Sequence, residues 1–187
     1  NNGDISVNPY RAALLKMYMQ GHQVASHTYD HLDLTKLGYN GIYSQMKRND
    51  AAIKSVIGVR PIFMRPPYGA VSDAVLTALG TWGYKPIWMN IDSEDVFHLD
   101  APNAVDLDAQ SFENTGHFSS SSPQTNSYIS LNHDVIKETV EQWTQRAIDL
   151  VKAKGYKFVT AGDCAGLPLT SQWYRTCLLY TSDAADD

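Results

Sequence analysis

The stretch GHQVASHTYDHLDL, from Gly21 to Leu34, places two histidines directly after a short apolar run. That run, residues 23–26, predicts a strand that ends at His27. His31 follows four positions later, and residues with this spacing share one helix face with Cβ atoms about 5–6 Å apart. Both imidazoles could therefore bind one metal ion. The alternative is a pair of ordinary helix-surface histidines, because isolated pairs with this spacing are common.

Apolar periodicity continues from this strand as an alternation of helices and strands. Helical spacing, with glycine at several ends and a capping serine, predicts helices over residues 9–20, 35–57, 72–79, 103–112 and 135–154. Short apolar runs predict strands over residues 23–26, 61–64, 85–91, 128–131 and 156–159. The alternation predicts an α/β fold with a parallel sheet in a single domain.

Four titratable or charged residues fall at the carboxyl ends of predicted strands: His27, Arg65, Asp92 and His133. In a parallel α/β barrel these ends converge on one face, where catalytic residues lie. We therefore expect the four side chains to share one face of the fold.

Composition narrows the class of protein. The chain has 187 residues, 43% hydrophobic and 19% charged, with a net charge of −5. These values indicate a globular, soluble protein, and the absence of a Lys/Arg cluster argues against a nucleic-acid partner. No apolar run reaches 18 residues, so the sequence predicts no membrane span. An acidic balance is compatible with a neutral or partly cationic carbohydrate without selecting one.

Both ends of the sequence are unusual. The chain begins at Asn1 without a methionine or signal segment, and we interpret it as truncated there. Residues 176–187 lack a sustained period and are interpreted as a non-native read-through or a disordered tail. The cysteines, Cys164 and Cys177, do not define the redox compartment.

Four short motifs carry a family resemblance. HTYDH (27–31), RPPYG (65–69), DSED (92–95) and LNHD (131–134) resemble motifs two to five of the NodB-homology polysaccharide deacetylases, carbohydrate esterase family 4. The segments GHQVASHT, MRPPY and KAKGYKFVT are most similar to those of fungal chitin deacetylases. The resemblance spans residues 1–175 and implies a distorted (β/α) barrel, incomplete at its N-terminus.

The resemblance implies a metal site on the two histidines. His27 and His31 would be ligands of a catalytic Zn²⁺, or of another divalent transition metal. The family's first motif, T-[FY]-D-D-G, supplies a third ligand and a catalytic base, both aspartates, and we expect it upstream of Asn1. The chain as it stands would then bind zinc weakly and be inactive. A cysteine in the same upstream segment could pair with Cys164.

The RPPYG motif implies roles on the loop after the second strand. Arg65 would hold the base aspartate, and its alternative is a surface ion pair. Pro67 would stiffen the loop. The backbone N–H of Tyr68 would help to stabilise an oxyanion, and packing is the alternative for this residue.

The remaining two motifs imply an acid and a pocket. His133 would be the general acid that protonates the leaving amine, and its alternative is a buried structural histidine. Asp92 would pair with His133 and keep it protonated, and Leu131 would line the pocket for the acetyl methyl group. Many family members carry an aromatic residue at the position of Val96, so the resemblance does not define the shape of the substrate groove. The other histidines, His22, His98 and His117, are read as structural or solvated.

The resulting hypothesis is a metal-dependent hydrolase that removes N-acetyl groups from chitin-like polymers of N-acetylglucosamine. It would act as a secreted or wall-associated monomer. The alternatives are an O-deacetylase of xylan, a peptidoglycan deacetylase using the same site, and a carbohydrate-binding domain without catalysis.

Overall fold

The computed structural model describes residues 4–176 of the chain. The α-helices are α1 Tyr10–Met19, α2 Tyr39–Ile57, α3 Asp73–Thr81, α4 Ala104–Thr115, α5 Thr144–Ala153 and α6 Ala161–Cys164. The strands are β1 Arg60–Pro61, β2 Phe63–Met64, β3 Lys85–Pro86, β4 Ile91–Asp92, β5 Ser130–Leu131 and β6 Tyr174–Arg175. A π-helix, Thr139–Trp143, leads directly into α5.

The described residues form two compact units. The first comprises residues 4–87 and 159–176, and the second is Trp88–Phe158. In the first, β2 pairs in parallel with β3, and β1 pairs antiparallel with β6. In the second, β4 pairs in parallel with β5. The predicted domain boundary at residue 175 stays a prediction.

Helix ends follow the local sequence. The Ser72 hydroxyl accepts a hydrogen bond from the Val75 N–H at 3.3 Å and so begins α3, as its sequence predicts. Helix α2 ends at Gly58, whose φ of 81° lies in the left-handed region that glycine adopts without a steric penalty. These ends set the short connections before β1 and after β2.

Each unit has an apolar core of its own. In the first unit, α2 and α3 bury a cluster that includes Ile42, Met46 and Leu79. In the second, Trp143 is fully buried and packs against Phe112 with ring centroids 5.4 Å apart. These cores fix the strand ends on which the candidate residues lie.

The predicted strands over residues 61–64 and 85–91 are each divided in the structure, the first into β1 and β2 and the second into β3 and β4. Two further predicted strands differ more. Residues 23–26 contribute a single parallel bridge, between Ser26 and Met64. Residues 156–159 have irregular backbone, and Phe158 and Val159 are exposed, so that strand prediction is wrong. No helix within the described range has the length and apolar character needed to cross a bilayer.

Candidate active site

The two histidines of the HTYDH motif lie beside each other without a helix between them. The backbone of this segment is irregular, and both Thr28 and His31 have positive φ, 65° and 56°. The ring centroids of His27 and His31 are 4.8 Å apart, with the ring planes at 75°. The helical explanation of their spacing is therefore wrong, because a tight loop rather than a helix face brings the rings together.

The backbone of Arg65 orients the first histidine. His27 Nδ1 lies 2.6 Å from the carbonyl oxygen of Arg65, and Ser26 O accepts from Arg65 N at 2.9 Å. A carbonyl oxygen only accepts hydrogen bonds, so Nδ1 carries a proton, and in the neutral ring the lone pair is on Nε2. This arrangement is typical of histidines that bind metal, since the partner of one nitrogen orients the other. The role of the Arg65 side chain stays a prediction.

Polar side chains of α2 fix the loop between the two histidines. The buried Gln45 accepts from Asp30 N through Oε1 and donates to Asp30 Oδ2 through Nε2, each at 2.8 Å. Arg48 Nη1 donates to the same carboxylate oxygen at 2.6 Å. The hydrogen bond from Gln45, followed by that from Arg48, outweighs desolvation and lowers the pKa of Asp30. These residues hold the conformation that brings the two rings together.

The RPPYG loop places an aromatic ring against the second histidine. Pro67–Gly69 forms a 3₁₀ turn in which Pro67 is buried and Tyr68 has a φ of 59°. Tyr68 is 72% exposed, and its ring centroid lies 4.8 Å from that of His31. The side chain therefore packs on a candidate metal ligand from the solvent side. The oxyanion role of the Tyr68 N–H stays a prediction.

The histidine pair fits part of a zinc site. Neutral imidazole nitrogens are normal zinc ligands, and a catalytic site uses three protein ligands. Within residues 4–176, no group of three or more His, Cys, Asp or Glu side chains is arranged to hold a metal ion. His27 and His31 would thus provide two of the ligands of such a site.

In the second unit, a buried carboxylate organises His133. Asp95 Oδ1 is 2.7 Å from His133 Nδ1, and Asp95 Oδ2 accepts from His133 N at 2.8 Å. The same Oδ2 accepts from Thr139 Oγ1 at 2.8 Å. Asp95 is 1% exposed, whereas the His133 side chain is 28% exposed. The ring is therefore held on one side by a hydrogen bond to the Asp95 carboxyl group and is partly accessible to solvent.

The predicted pairing of Asp92 with His133 is corrected by this geometry. Asp92 Oδ1 accepts instead from the N–H of Glu94 at 2.8 Å and so caps the turn that follows β4. The turn carries the chain three residues further, so the second aspartate of DSED, Asp95, contacts His133. Asp95 is the partner of His133 that the sequence did not single out, although the DSED motif contains it.

The LNHD motif is anchored to the buried core. Asn132 Oδ1 accepts from Trp143 Nε1 at 2.7 Å. Leu131 is paired with Asp92 across the parallel strands and accepts from Ser93 Oγ at 3.1 Å through its carbonyl oxygen. These contacts fix the backbone on both sides of Asn132, so His133 leaves the strand in a defined direction. The role of Leu131 in an acetyl pocket stays a prediction.

The other residues singled out from the sequence have separate surroundings. His98 pairs with the buried Asp108, Nδ1 to Oδ1 at 2.8 Å, which the sequence did not predict. Val96 is partly exposed, and the adjacent Phe97 is 79% exposed. Cys164 is exposed and has a free thiol, and Cys177 lies outside the described residues.

Comparisons with known proteins identify relatives of this chain. Residues 2–87 match the family model described as polysaccharide deacetylase. The chain is 38% identical over 172 residues to the "Probable peptidoglycan-N-acetylglucosamine deacetylase" of Arthroderma benhamiae, covering 91% of the chain and 37% of that relative. It is 37% identical over 171 residues to the chitin deacetylase of Pestalotiopsis sp, covering 91% of the chain and 54% of that relative.

A solved structure shows the same fold. The chitin deacetylase of Colletotrichum lindemuthianum superposes with a TM-score of 0.83 at 34% identity, covering 92% of this chain and 74% of that one. The fold is thus the NodB-type (β/α) barrel of the family 4 carbohydrate esterases. The chain belongs to the polysaccharide deacetylase family. It spans between about a third and just over half of the length of the two sequence relatives named above.

Proposed function

We propose that the protein containing this chain is a zinc-dependent hydrolase that removes N-acetyl groups from chitin-like polymers of N-acetylglucosamine. The observation that carries the proposal is the His133 ring, fixed through Nδ1 by the buried Asp95. The relatives are named as chitin deacetylases and a peptidoglycan-N-acetylglucosamine deacetylase, which supports an N-acetylated sugar as substrate.

His133 is suited to donate a proton to a leaving amine. With Nδ1 donating to a carboxylate, a second proton can be carried only on Nε2, which is the atom able to transfer it. Asp95 Oδ1 lies 2.7 Å from His133 Nδ1 and accepts its hydrogen bond, which holds the ring in one orientation. A positioned acid of this kind contributes on the order of 10²–10⁴ in rate. The amine leaves as a neutral group once Nε2 has protonated it.

The histidine pair of the first unit would hold the metal. A bound Zn²⁺ supplies a Lewis acid for the acetamide carbonyl and acidifies water near neutral pH. His27 keeps its Nε2 lone pair because Nδ1 donates to Arg65 O. Because the described residues contain no third ligand group, we expect the 187-residue chain alone to bind zinc weakly and to release no measurable acetate. We further propose that the protein acts as a monomer, secreted or held at a cell wall.

Three alanine variants test this division of roles in the protein at its full natural length. His27→Ala should lose both zinc and activity, because it removes a ligand. His133→Ala should keep its zinc and lose activity by about 10²–10⁴. The matched control is His22→Ala, since His22 is exposed and lies outside the motif. Metal content and acetate release are measured for each. Loss of zinc in His133→Ala would contradict the proposal, as would full zinc retention in His27→Ala.

A further inference from the structure

The turn that carries Asp95 is bound on both sides by side chains of α4. On the side before it, Glu94 Oε2 accepts from Ser111 Oγ at 2.7 Å. On the side after it, His98 Nδ1 lies 2.8 Å from Asp108 Oδ1. Ser111 and Asp108 are three residues apart on α4, so one helix face contacts both flanks of the turn.

The turn itself has a conformation that needs such support. Glu94 has a φ of 57°, in the left-handed region that is uncommon for residues other than glycine. Such a conformation persists only where the surrounding contacts determine it. The 3₁₀ turn Asp95–Phe97 closes through the bond from His98 N to Asp95 O at 3.2 Å. The position of Asp95 therefore depends on both flanking residues.

The contact between α4 and His98 joins an imidazole to a carboxyl group and is largely buried. The Asp108 side chain is 2% exposed, and that of His98 is 16% exposed. Burial raises the pKa of Asp108, the hydrogen bond from His98 opposes this shift, and the charges of Asp95 and Glu138 add to it. Asp95 and Asp108 are thus neighbouring carboxylates, each paired with its own histidine.

We propose that Asp108 and Ser111 are positioning residues for the Asp95–His133 pair. They act through the turn: Asp108 holds His98, Ser111 holds Glu94, and the two contacts together fix Asp95 under the His133 ring. Neither residue is assigned a contact with substrate. The inference rests on the proposed role of His133, but the geometry that it predicts can be measured without any turnover.

The experiment is amide and imidazole NMR on the ¹⁵N-labelled 187-residue chain. The His133 backbone N–H donates to Asp95 Oδ2, so its hydrogen-exchange rate reports how often that bond opens. In Asp108→Ala we expect this exchange to accelerate about tenfold, the equivalent of one ordinary hydrogen bond. The Nδ1–H resonance of the His133 ring should broaden in the same variant. Ser111→Ala should give a smaller change of the same kind.

Two controls separate positioning from a general loss of stability. Asp106→Ala removes a carboxylate from the same helix, where it pairs with the exposed Arg146 at 2.6 Å, and should leave His133 exchange unchanged. Asp108→Asn keeps an oxygen that can accept from His98 Nδ1 and should restore most of the protection.

The outcomes are distinct. Unchanged His133 exchange in both Asp108→Ala and Ser111→Ala overturns the proposal. So does an equal acceleration across all amides of Trp88–Phe158, since that would indicate a role in stability alone. If Asp108→Ala does not fold, Ser111→Ala decides, because it removes only a hydroxyl from a half-buried site. Inactivity of the full-length protein with normal His133 protection would contradict the proposed function and leave the positioning inference standing.

Discussion

Replacement of Asp95 by asparagine tests whether Asp95, rather than Asp92, is the carboxylate that holds His133. The carboxylate accepts three hydrogen bonds: from His133 N, His133 Nδ1 and Thr139 Oγ1, at 2.8, 2.7 and 2.8 Å. An amide has one oxygen, so its NH₂ group must face either the His133 backbone N–H or the His133 ring. Hydrogen bonds to a charged group contribute about 1.5–3 kcal/mol each, and a stranded buried donor costs about 1–3 kcal/mol. We therefore expect Asp95→Asn to lower the free energy of unfolding by about 2–4 kcal/mol.

The assay is urea unfolding of the 187-residue chain, followed by the indole N–H resonance of Trp143. This group donates to Asn132 Oδ1 at 2.7 Å and reports on the second unit. With a urea dependence of about 1–3 kcal/mol/M, the midpoint should fall by about 1–2 M. The matched control is Asp92→Asn, where the amide oxygen can still accept from Glu94 N, and the loss should stay below about 1 kcal/mol. An equal or larger loss in Asp92→Asn would refute the reasoning.

Two further predictions concern the first unit. A Cβ at Gly162 would lie 2.0 Å from the Nε1 atom of the buried Trp173. We therefore expect Gly162→Ala to lower the free energy of unfolding by at least about 2 kcal/mol, measured by urea unfolding. The control is Gly80→Ala, which should be neutral or stabilising because a Cβ at Gly80 would have nothing within 4 Å. Burial raises the pKa of Asp50 above its ordinary value of 3.8, so this group stabilises the folded state most below that pH. The free energy of unfolding of the parent, relative to that of Asp50→Asn, should therefore fall as pH rises above 3.8. A difference in stability that grows with pH would contradict this prediction.

The fold could be predicted from the sequence because it depends on local patterns, and His27 and His31 were correctly expected to lie together. The roles assigned to Arg65, Tyr68 and Leu131 stay predictions. Alternating periodicities predicted the helices and the parallel pairs, and four short motifs indicated the family. The strand at residues 156–159 was wrong because apolar character alone does not show whether a segment is buried. In the structure Phe158 and Val159 face solvent, and the backbone there pairs with no strand among the described residues.

Contacts that depend on loop conformation could not be predicted. His27 and His31 were expected on a helix, whereas two positive φ values within the loop place their rings together. The choice between Asp92 and Asp95 depends on a single turn after β4, whose direction no periodicity encodes. Gln45 lies 15 residues along the chain from Asp30, the loop residue that it binds. Its polar side chain is buried on a helix face where the sequence pattern leads one to expect apolar residues.

The most direct test of the proposed function is the product ratio for the zinc-loaded, full-length protein on an oligomer of N-acetylglucosamine. Acetate and free amine are measured together, and O-acetylated xylan is the control substrate. The proposed function predicts acetate and amine in equal amounts from the N-acetylglucosamine oligomer, with the rate falling about 10²–10⁴ in His133→Ala. Acetate from acetylated xylan alone, without free amine from the oligomer, would contradict it.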